Sequence, residues 1–392
     1  MSLSFCEKLY RYLATNHLRD GGLIGPDPGV RFNYRFWRFA KSALPFIPWK
    51  DDLYYLQAQG YWVLANWSLY DSGQDSHKSA ALSCSNRIVQ NQRPDGAWNY
   101  PNPEWRGRVA TVEGIWASLA LLESYRQTQN GTYLDAAIRW HEFFESKIGF
   151  QLVEDCIAVN YFAHEVSELV PNNSALALRY LAAFHQATGD EHYLKKCKGL
   201  LAFIQHSQKA SGEVPYVVGS PKMEHFQCFQ YHAFMLMDVL EYHRLTNDLN
   251  AIGILAGIAN FLSEGLSRRG EAYYQCGNRY RTVNYHSAAV ACALTQVARQ
   301  SWLSNHSTLS SESLRLDSKR AFDQLCIQQR SDGSLPHSRG DYLVLSDRRS
   351  YPRYLSMILY HSILNERVGQ SDANGNALVS LHPPHRSLET HA

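Results

Sequence analysis

Two kinds of apolar segment alternate along the chain. Leu53–Tyr70 and Tyr285–Ala298 are long enough for helices and contain no charged residue. Between such segments lie others, for example Glu191–Gln205, in which apolar residues recur at helical spacing and lysines occupy other positions. A helix that is apolar on all sides must be buried on all sides, whereas an amphipathic helix covers a core with one face. The pattern therefore predicts a layer of buried helices enclosed by a layer of amphipathic ones.

A glycine-containing turn recurs along the chain and is followed each time by loop residues and an apolar helix. The six turns are spaced roughly 50 to 75 residues apart, which is typical of an internal structural repeat. Each repeat is therefore predicted to be a helical hairpin. The turns are Arg19–Gly22, Pro94–Ala97, Ile148–Phe150, Ser211–Glu213, Arg269–Glu271 and Ser331–Ser334.

The predicted helices make six hairpins when the N-terminus is included. The pattern contains six inner and five outer helices, and the amphipathic segment Leu3–His17 supplies the sixth outer helix. We therefore predict an all-α fold, an (α/α)6 toroid in which the N-terminal helix closes the ring, as a single domain over residues 1–368. The aperiodic residues 369–392 are predicted to be a disordered tail. Inner helices are expected near residues 51–70, 109–127, 172–187, 228–246, 284–302 and 352–366, and outer helices near 75–90, 131–147, 190–207, 248–266 and 310–328.

Charge and cysteine content indicate which partners the protein can bind and where in the cell it is located. With 38 basic and 36 acidic residues the net charge is +2, so we expect no nucleic-acid partner. Glu7, Lys8 and Arg11 interrupt the N-terminal apolar pattern, and other apolar runs are too short to span a bilayer. We therefore expect no membrane insertion and a cytoplasmic location. Eight singly scattered cysteines predict reduced thiols, and we expect no metal and no cofactor. The oligomeric state stays open.

One corner between an inner and an outer helix resembles a known superfamily. Ala187–Leu194 is similar to the Thr-Gly-Asp-x-x-Tyr-Leu corner of six-hairpin glycosidase-like toroids. That superfamily includes glycoside hydrolases, polysaccharide lyases, N-acylglucosamine 2-epimerases and uronyl C5-epimerases, so the resemblance implies an enzyme with a carbohydrate substrate. The turn Gln92–Trp98 resembles the Gln-Trp repeat of terpenoid cyclases and protein prenyltransferases. An isoprenoid enzyme and a non-catalytic glycan-binding scaffold are therefore the alternatives, because these corners specify a fold and carry no catalytic motif.

Each inner helix carries one hydrogen-bonding side chain at an equivalent position near its start. Counting back from the helix corners aligns four of these positions, and the apolar pattern aligns the other two. A buried polar side chain without a partner costs roughly 1 to 3 kcal/mol. We therefore predict that this polar ring lines a central cavity that binds substrate. Its members are Gln57, Glu113, Asn173, Tyr231, Tyr285 and Tyr351.

Four residues are predicted to be catalytic. Glu113 is the one charged residue in its apolar segment, where burial would raise its pKa and suit it to proton transfer. The pairs Tyr231-His232 and Tyr285-His286 offer a base and a proton donor for chemistry beside a uronate carboxylate. A structural role in the core is the alternative for each histidine, and a favourable position in the helix dipole is the alternative for Glu113. The catalytic candidates are Glu113, His232, Tyr285 and His286.

Further residues are predicted to bind substrate. Asn173 and Arg353 would neutralise a uronate carboxylate, whereas Asp51 and Asp52 would supply a second carboxylate for glycoside hydrolysis. Asp51 has a helix N-cap as its alternative role. Aromatic loop residues offer flat faces to sugar rings or to isoprenoid cations. The reaction type stays open between hydrolysis, uronate elimination and epimerisation. The predicted substrate-binding residues are Asp51, Asp52, Gln57, Trp98, Tyr100, Asn173, Tyr231, Tyr351 and Arg353.

Overall fold

The chain folds into two concentric rings of helices. Within the part of the chain that the structure describes there are thirteen α-helices, six in an inner ring and six in an outer ring around it. Each inner helix packs on the next along the chain, and the sixth packs back against the first. The predicted (α/α)6 toroid is confirmed. The computed structural model describes residues 4–28, 40, 43–44, 46–48, 51–105, 107–342 and 345–373.

The inner helices are buried because their sequences are apolar on nearly every side. Every residue from Leu56 to Ser68 is buried in the first of them. Gly60 lies against the backbone of Trp116 in the neighbouring inner helix, where a Cβ atom would collide with the carbonyl oxygen. Small residues at such points let the helices approach closely and bury their larger neighbours. The inner helices are α2 (Leu56–Asp71), α4 (Thr111–Thr128), α6 (Pro171–Thr188), α8 (Cys228–Thr246), α10 (Asn284–Val297) and α13 (Pro352–Ala373).

The outer helices each cover the inner helix that precedes them, except the first, which covers the last inner helix. The first outer helix begins at a capping box, in which Ser4 Oγ accepts from the Glu7 backbone N–H at 3.2 Å and Glu7 Oε2 accepts from the Ser4 N–H at 2.8 Å. A short helix, α11 (Leu303–His306), lies in a connection. The outer helices are α1 (Phe5–Asn16), α3 (Ser76–Gln90), α5 (Gly131–Phe143), α7 (Cys197–Ser207), α9 (Ala251–Ser263) and α12 (Ser311–Gln328).

Three glycine turns are attached to the next outer helix by the same contacts, which we call the Gln–Gly clasp. In the first, Gln92 Nε2 donates to the carbonyls of Gly96 and Ala136, both at 2.8 Å. Gly96 has φ +87°, and a Cβ atom there would collide with the Arg139 carbonyl. Only glycine suits both the backbone conformation and the close approach. The other clasps join Gln208 to Gly212 and Ile254, and Gln329 to Gly333 and Phe5.

The last clasp closes the ring on the N-terminal helix. Gln329 Nε2 donates to the Phe5 carbonyl at 2.9 Å, across 324 positions of sequence. The Phe5 ring also packs edge-on against Phe322 of α12, with centroids 5.3 Å apart. On the other side Tyr10 stacks on Trp62 of α2 at 4.7 Å. The predicted role of the N-terminal segment as the sixth outer helix is therefore confirmed.

Short antiparallel strands occupy the loops between hairpins. Four of them form one sheet in the order β5-β6-β7-β8, and this sheet joins the connections that lead into α10 and α13. The strands are β1 (Leu18–Arg19), β2 (Gly22–Leu23), β3 (Phe150–Val153), β4 (Cys156–Val159), β5 (Tyr273–Gln275), β6 (Asn278–Thr282), β7 (Ser338–Tyr342) and β8 (Leu345–Asp347).

Two inner helices are shorter than the sequence predicts. The first begins at Leu56 because Leu53 instead forms a β-bridge with Gly25. Tyr55 occupies the N-cap position, so the N-cap alternative for Asp51 is wrong. The fifth ends at Val297 rather than near residue 302.

The last inner helix runs past the predicted domain boundary. It extends to Ala373, five positions beyond residue 368, and residues 374–392 of the predicted tail lie outside the described residues. Among the helices described, none combines the length and the apolar character that crossing a membrane requires.

Candidate active site

A cavity of about 340 Å³ lies at the end of the toroid where the inner helices begin. Its wall includes Gln57, Asn173 and Tyr285, each within the first three residues of its helix. Its floor lies about halfway along the helices and includes Arg179 and Tyr360. A concave space of this size and depth is typical of a small-molecule site.

Arg353 in the first turn of α13 organises one side of the cavity. Its Nε and Nη2 donate to Gln57 Oε1 at 3.0 and 2.8 Å. Its Nη1 lies 3.6 Å from Asp27 Oδ2, and its Nη2 lies 3.8 Å from Glu113 Oε1. Its guanidinium carbon lies 4.3 Å from the centre of the Tyr55 ring. One cation therefore connects three inner helices and the loop that carries Asp27.

Glu113 lies behind this wall rather than in it. The residue is 3% exposed, and its Oε2 accepts from the Gln57 backbone N–H at 3.0 Å. Burial raises the pKa of Glu113 above its usual value, although the nearby Arg353 acts in the opposite direction. The carboxyl group thus pairs with Arg353 and accepts a hydrogen bond at the start of α2. Glu113 is not among the residues that line the cavity.

Tyrosines make up much of the lining. Tyr216 stacks on Tyr231, with ring centres 4.6 Å apart. Burial raises the pKa of Tyr161 and Tyr231 well above the usual value, so these phenols stay protonated at neutral pH and act as hydrogen-bond donors. Flat rings with polar edges suit the apolar faces and hydroxyl edges of sugars. Among the described residues the lining tyrosines are Tyr55, Tyr61, Tyr100, Tyr161, Tyr216, Tyr231, Tyr274, Tyr285, Tyr354 and Tyr360.

One part of the cavity rim combines a phenol, an imidazole and a cation. Tyr285 lies 4.4 Å from Tyr354 and 5.9 Å from His337 between ring centres, and His337 lies 4.9 Å from Tyr354. The Arg281 guanidinium carbon lies 3.5 Å from the centre of the Tyr274 ring, which fixes the cation over an aromatic face. The sheet β5-β6-β7-β8 brings Arg281 and His337 to this rim.

The floor of the cavity holds a buried ion pair. Arg179 Nη1 lies 3.1 Å from Asp238 Oδ1, and the side chains are 12% and 6% exposed. Burial raises the pKa of Asp238 to about 6, against the opposing effect of Arg179. Glu241, which also lines the floor, forms an ion pair with Arg244 at 2.6 Å. The carboxylates of the floor are thus neutralised by arginines of adjacent inner helices or of their own helix.

The polar ring predicted from the sequence is brought together in part. Gln57, Asn173, Tyr231 and Tyr285 line the cavity. Tyr351 does not, because its hydroxyl donates to Asp347 Oδ2 at 2.9 Å and only 1% of the residue is exposed. We therefore withdraw Tyr351 as a substrate-binding residue.

Both predicted catalytic histidines lie outside the lining. His232 Nδ1 donates to the Cys228 carbonyl and its Nε2 accepts from the Val214 N–H, each at 2.6 Å. Burial lowers the pKa of His232 to about 4. His286 is fully buried against Tyr274, with ring centres 5.4 Å apart, and neither of its nitrogens has a hydrogen-bond partner among the described residues. Neither imidazole reaches the cavity, so we withdraw both as catalytic candidates.

The other predicted binding residues divide between the cavity and elsewhere. Tyr100 and Arg353 line the cavity. Trp98 is 3% exposed and donates to the Ile88 carbonyl at 2.9 Å, so it is a core residue. Asp52 is 60% exposed in an ion pair with Arg19, and the adjacent Asp51 is also outside the lining. The structure therefore does not place these two carboxylates where substrate would bind.

Several lining residues were missed by the sequence analysis. Arg179 is the one charged residue in its inner helix, so the argument that selected Glu113 would also have found it. Arg281 and His337 lie on a hairpin sheet that the helical pattern does not predict. Asp27 lies in an irregular loop, where no periodicity indicates which side chain turns inward.

Solved structures with the same architecture cover nearly the whole chain. A cellobiose 2-epimerase from Bacillus thermoamylovorans aligns with a TM-score of 0.67 at 15% identity, over 93% of this chain and 99% of its own. A polysaccharide lyase aligns at 0.64 and 11%, over 94% and 97%. An unsaturated glucuronyl hydrolase specific for heparin aligns at 0.64 and 14%, over 96% and 97%. The fold is that of the six-hairpin glycosidase-like toroids.

At these identities the likeness establishes the fold and not the reaction. The three names describe an epimerase, a lyase and a hydrolase, so one toroid supports three kinds of chemistry. No protein-family profile matches the sequence, and no curated protein matches it.

Proposed function

We propose that this protein is a carbohydrate-active enzyme that removes a proton beside the carboxylate of a uronate-containing oligosaccharide. The reaction would be elimination or epimerisation. The observation that carries the proposal is the lining itself, in which arginines, a histidine and protonated tyrosines surround a cavity of about 340 Å³. This polar lining favours a sugar over an isoprenoid, which requires a dry aromatic cavity.

The carboxylates of the cavity are a poor pair for glycoside hydrolysis. Hydrolysis by the usual route needs two carboxyl groups facing each other across the scissile bond. Asp27 lies 3.6 Å from Arg353 and Asp238 lies 3.1 Å from Arg179. The first contacts Arg353 in the first turn of α13, and the second is on the floor. Glu241, which also lines the floor, is on the same helix as Asp238 and forms an ion pair with Arg244. This separation supports proton transfer by other side chains.

The side chains on the rim have the properties that proton abstraction requires. Arg281 would bind the uronate carboxylate and so favour loss of the neighbouring proton, while Arg353 and Asn173 line the cavity beside it. His337 would accept the proton, and the phenol of Tyr285 would return one to the opposite face or to the leaving oxygen. Tyr354 contacts both rings and holds them in place.

Two further features of the proposal concern the whole chain. A single domain over residues 1–368 is supported by the continuous ring of inner helices. A cytoplasmic location is supported by the eight cysteines, all of which are free thiols. A carbohydrate substrate is also in keeping with the names of the similar structures, which include a polysaccharide lyase and a glucuronyl hydrolase.

Solvent isotope exchange tests the proposed reaction directly. The full chain is incubated in D₂O with uronate-containing and with neutral oligosaccharides, and NMR follows deuterium at the carbon beside the carboxylate. Ultraviolet absorbance follows the unsaturated uronate that elimination produces. We expect deuterium incorporation or absorbance with the uronates, reduced at least about a hundredfold in Tyr285→Phe and in His337→Gln.

Tyr133→Phe is the matched control. Tyr133 is also a buried phenol, 2% exposed, but it bonds Asn86 on the outer ring and is not among the lining residues. We expect this variant to keep full activity. Release of reducing ends from neutral oligosaccharides, without exchange in any uronate, would contradict the proposal.

A further inference from the structure

A cluster of thiol, carboxylate and imidazole groups lies directly behind one wall of the cavity. It joins three segments: Glu213 and His225 from the loop before α8, Cys228 at the first position of α8, and Cys276 in the turn between β5 and β6. Among the described residues, these four are outside the cavity lining. The cluster therefore has no part in the reaction proposed above.

The donor atoms of the cluster are close together. The Sγ atoms of Cys228 and Cys276 are 3.0 Å apart, and Cys276 Sγ lies 3.7 Å from Glu213 Oε1. One oxygen of Glu213 and the two sulfurs all lie within 4.8 Å of one another. His225 Nδ1 lies 2.5 Å from the same Glu213 Oε1. Three donors of the types that zinc prefers thus lie close together, and the imidazole of His225, which groups with Glu213 and Glu224, is a fourth beside the same carboxylate.

Hydrogen bonding alone explains the meeting of the two thiols poorly. Thiols are weak donors and acceptors, yet Cys228 is 2% exposed and its Sγ lies against a second thiol. Glu213 is 5% exposed and already has Lys209 and His225 as partners. The Cys276 backbone N–H points at Cys228 Sγ at 3.2 Å, which is the kind of contact that supports a metal-bound thiolate. Lys209 Nζ lies 3.2 Å from Glu213 Oε2 and would offset the negative charge of two thiolates and a carboxylate.

We propose that Glu213, His225, Cys228 and Cys276 form a zinc site. Tetrahedral zinc with Zn–S bonds of about 2.3 Å places two sulfurs about 3.8 Å apart, so the cysteines need to separate by less than about 1 Å. Cys276 is half-buried in the turn between β5 and β6. The His225 side chain is 46% exposed, and it reaches the metal by turning from the Glu213 oxygen that it now contacts. Four protein ligands make the site structural.

The zinc site would hold part of the cavity wall. Gln227 and Tyr274, which line the cavity, are next to Cys228 and two positions before Cys276, and Gln227 Nε2 donates to the Tyr274 hydroxyl at 2.6 Å. The sequence predicts no metal site, because the eight cysteines are scattered singly and form no paired-cysteine motif. Cys228 and Cys276 are 48 positions apart, so their meeting leaves no local signal.

Metal analysis of the full chain tests the proposal. The protein is purified without chelator after growth with added zinc, and we expect about one zinc ion per chain. After exchange for Co²⁺ we expect a thiolate-to-cobalt charge-transfer band in the near ultraviolet. In the double variant Cys228→Ser/Cys276→Ser the band should vanish and the zinc content should fall about tenfold or more. Circular dichroism checks that the variant folds, and the cobalt spectrum of the unaltered chain tests the site even if it does not.

Two variants serve as controls. Cys197→Ser removes a thiol that, like Cys228, is at the first position of a helix and 2% exposed, and it should keep both zinc and the band. Cys156→Ser tests a second group of potential ligands, Asp155, Cys156 and His206. This variant should also keep both the zinc content and the cobalt band.

Three results would overturn the proposal. The first is an unaltered chain that retains no zinc and shows no cobalt band. The second is a double variant that binds zinc as well as the unaltered chain does. The third is loss of zinc in Cys156→Ser, which would assign the metal to the other group. Each of these results leaves the isotope-exchange experiment unaffected, so the two proposals fail separately.

Discussion

At the scale of single residues, the partners of a buried polar side chain decide whether it is available to a substrate. His232 uses both ring nitrogens for backbone groups, and Glu113 uses its carboxylate for the Gln57 N–H and for Arg353. His337 and Tyr285 also have neighbours, but both are among the residues that line the cavity. We therefore assign a structural role to His232 and Glu113, and a role in the proposed reaction to His337 and Tyr285.

His232→Ala should destabilise the fold. The substitution leaves the Val214 N–H and the Cys228 carbonyl buried without their present partners and opens a cavity, so we expect a loss of about 2 to 4 kcal/mol in the free energy of unfolding. Chemical denaturation measures this. The exposed His206→Ala is the control and should change it by less than about 0.5 kcal/mol. An unchanged unfolding midpoint in His232→Ala would show that the imidazole does not contribute to the stability of the fold.

Glu113→Gln should change how stability depends on pH. Because burial holds the pKa of folded Glu113 above its unfolded value, the stability of the native protein falls relative to the variant as pH rises from about 4 through the folded pKa. The glutamine retains an oxygen for the Gln57 N–H and does not titrate. Between about pH 4 and pH 7 the free energy of unfolding should therefore fall more for the native protein than for the variant. Parallel curves for the native protein and the variant would count against a raised pKa of Glu113.

At the scale of elements, the Gln–Gly clasp attaches each of three turns to the following outer helix. The glutamine side chain bridges two backbone carbonyls, and the glycine lets the turn sit directly on the helix backbone. The clasp at Gln329 and Gly333 differs from the others in its partner, which is the first helix of the chain. It is therefore one of the contacts that close the row of hairpins into a ring, together with the packing of α13 on α2.

Gly333→Ala should loosen this closure. Gly333 has φ +89°, and a Cβ atom there would collide with the Lys8 carbonyl of α1. Gly73→Ala is a matched control, because Gly73 has φ +88° but nothing within 4 Å of the added atom. We expect about 1 kcal/mol of destabilisation at Gly73 and at least about 2 kcal/mol more at Gly333. Hydrogen exchange should show faster exchange of residues 5–16 in Gly333→Ala alone, and equal effects at both positions would refute the clasp.

The repeat and the two helix layers could be predicted because they depend on local periodicity. An amphipathic outer helix shows which face is buried, and a glycine turn shows where a hairpin ends. The start of α2 was misplaced because Leu53 pairs with Gly25, a contact that leaves no local signal. Long-range pairing of this kind limits the accuracy of element boundaries.

The site was predicted less well, and the reason is also physical. Adjacent residues on a helix point about 100° apart, so Tyr231 and Tyr285 reach the cavity while His232 and His286, one position later, do not. A helix that is apolar all round has no polar face to indicate which direction is the cavity. The pattern therefore identified the right end of the right helices and the right tyrosines, but it did not exclude the histidine one position later in each pair.

At the scale of the whole molecule, a buried ion pair lies near the centre of the toroid. Arg179 and Asp238 come from neighbouring inner helices and meet at the floor of the cavity. Arg179 and Glu241 also line a second, smaller cavity of about 210 Å³ that includes residues near the C-terminal ends of inner helices. The ion pair thus lies between two solvent-sized spaces along the axis of the ring.

Arg179→Met should destabilise the protein by about 3 to 5 kcal/mol, because it leaves Asp238 buried without its cation. The loss should be smaller near pH 5 than near pH 8, since the pKa of Asp238, already about 6, rises further when Arg179 is removed and the acid then protonates. The double variant Arg179→Met/Asp238→Leu should recover most of the loss. Denaturation of these two variants and of the single variant Asp238→Leu gives the coupling energy, and additive losses in the double variant would contradict it.

The closing contact between Phe5 and Gln329 also sets the order of assembly. A nascent chain makes its first helix at once but must carry that apolar stripe through 324 further positions before the matching surface exists. Contacts of such long range form slowly and leave apolar surface exposed in the meantime. During that interval the exposed packing surface on one incomplete ring can bind the first helix of another copy equally well. Exchange of this helix between two chains is consequently the assembly error to which a molecule of this shape is most susceptible.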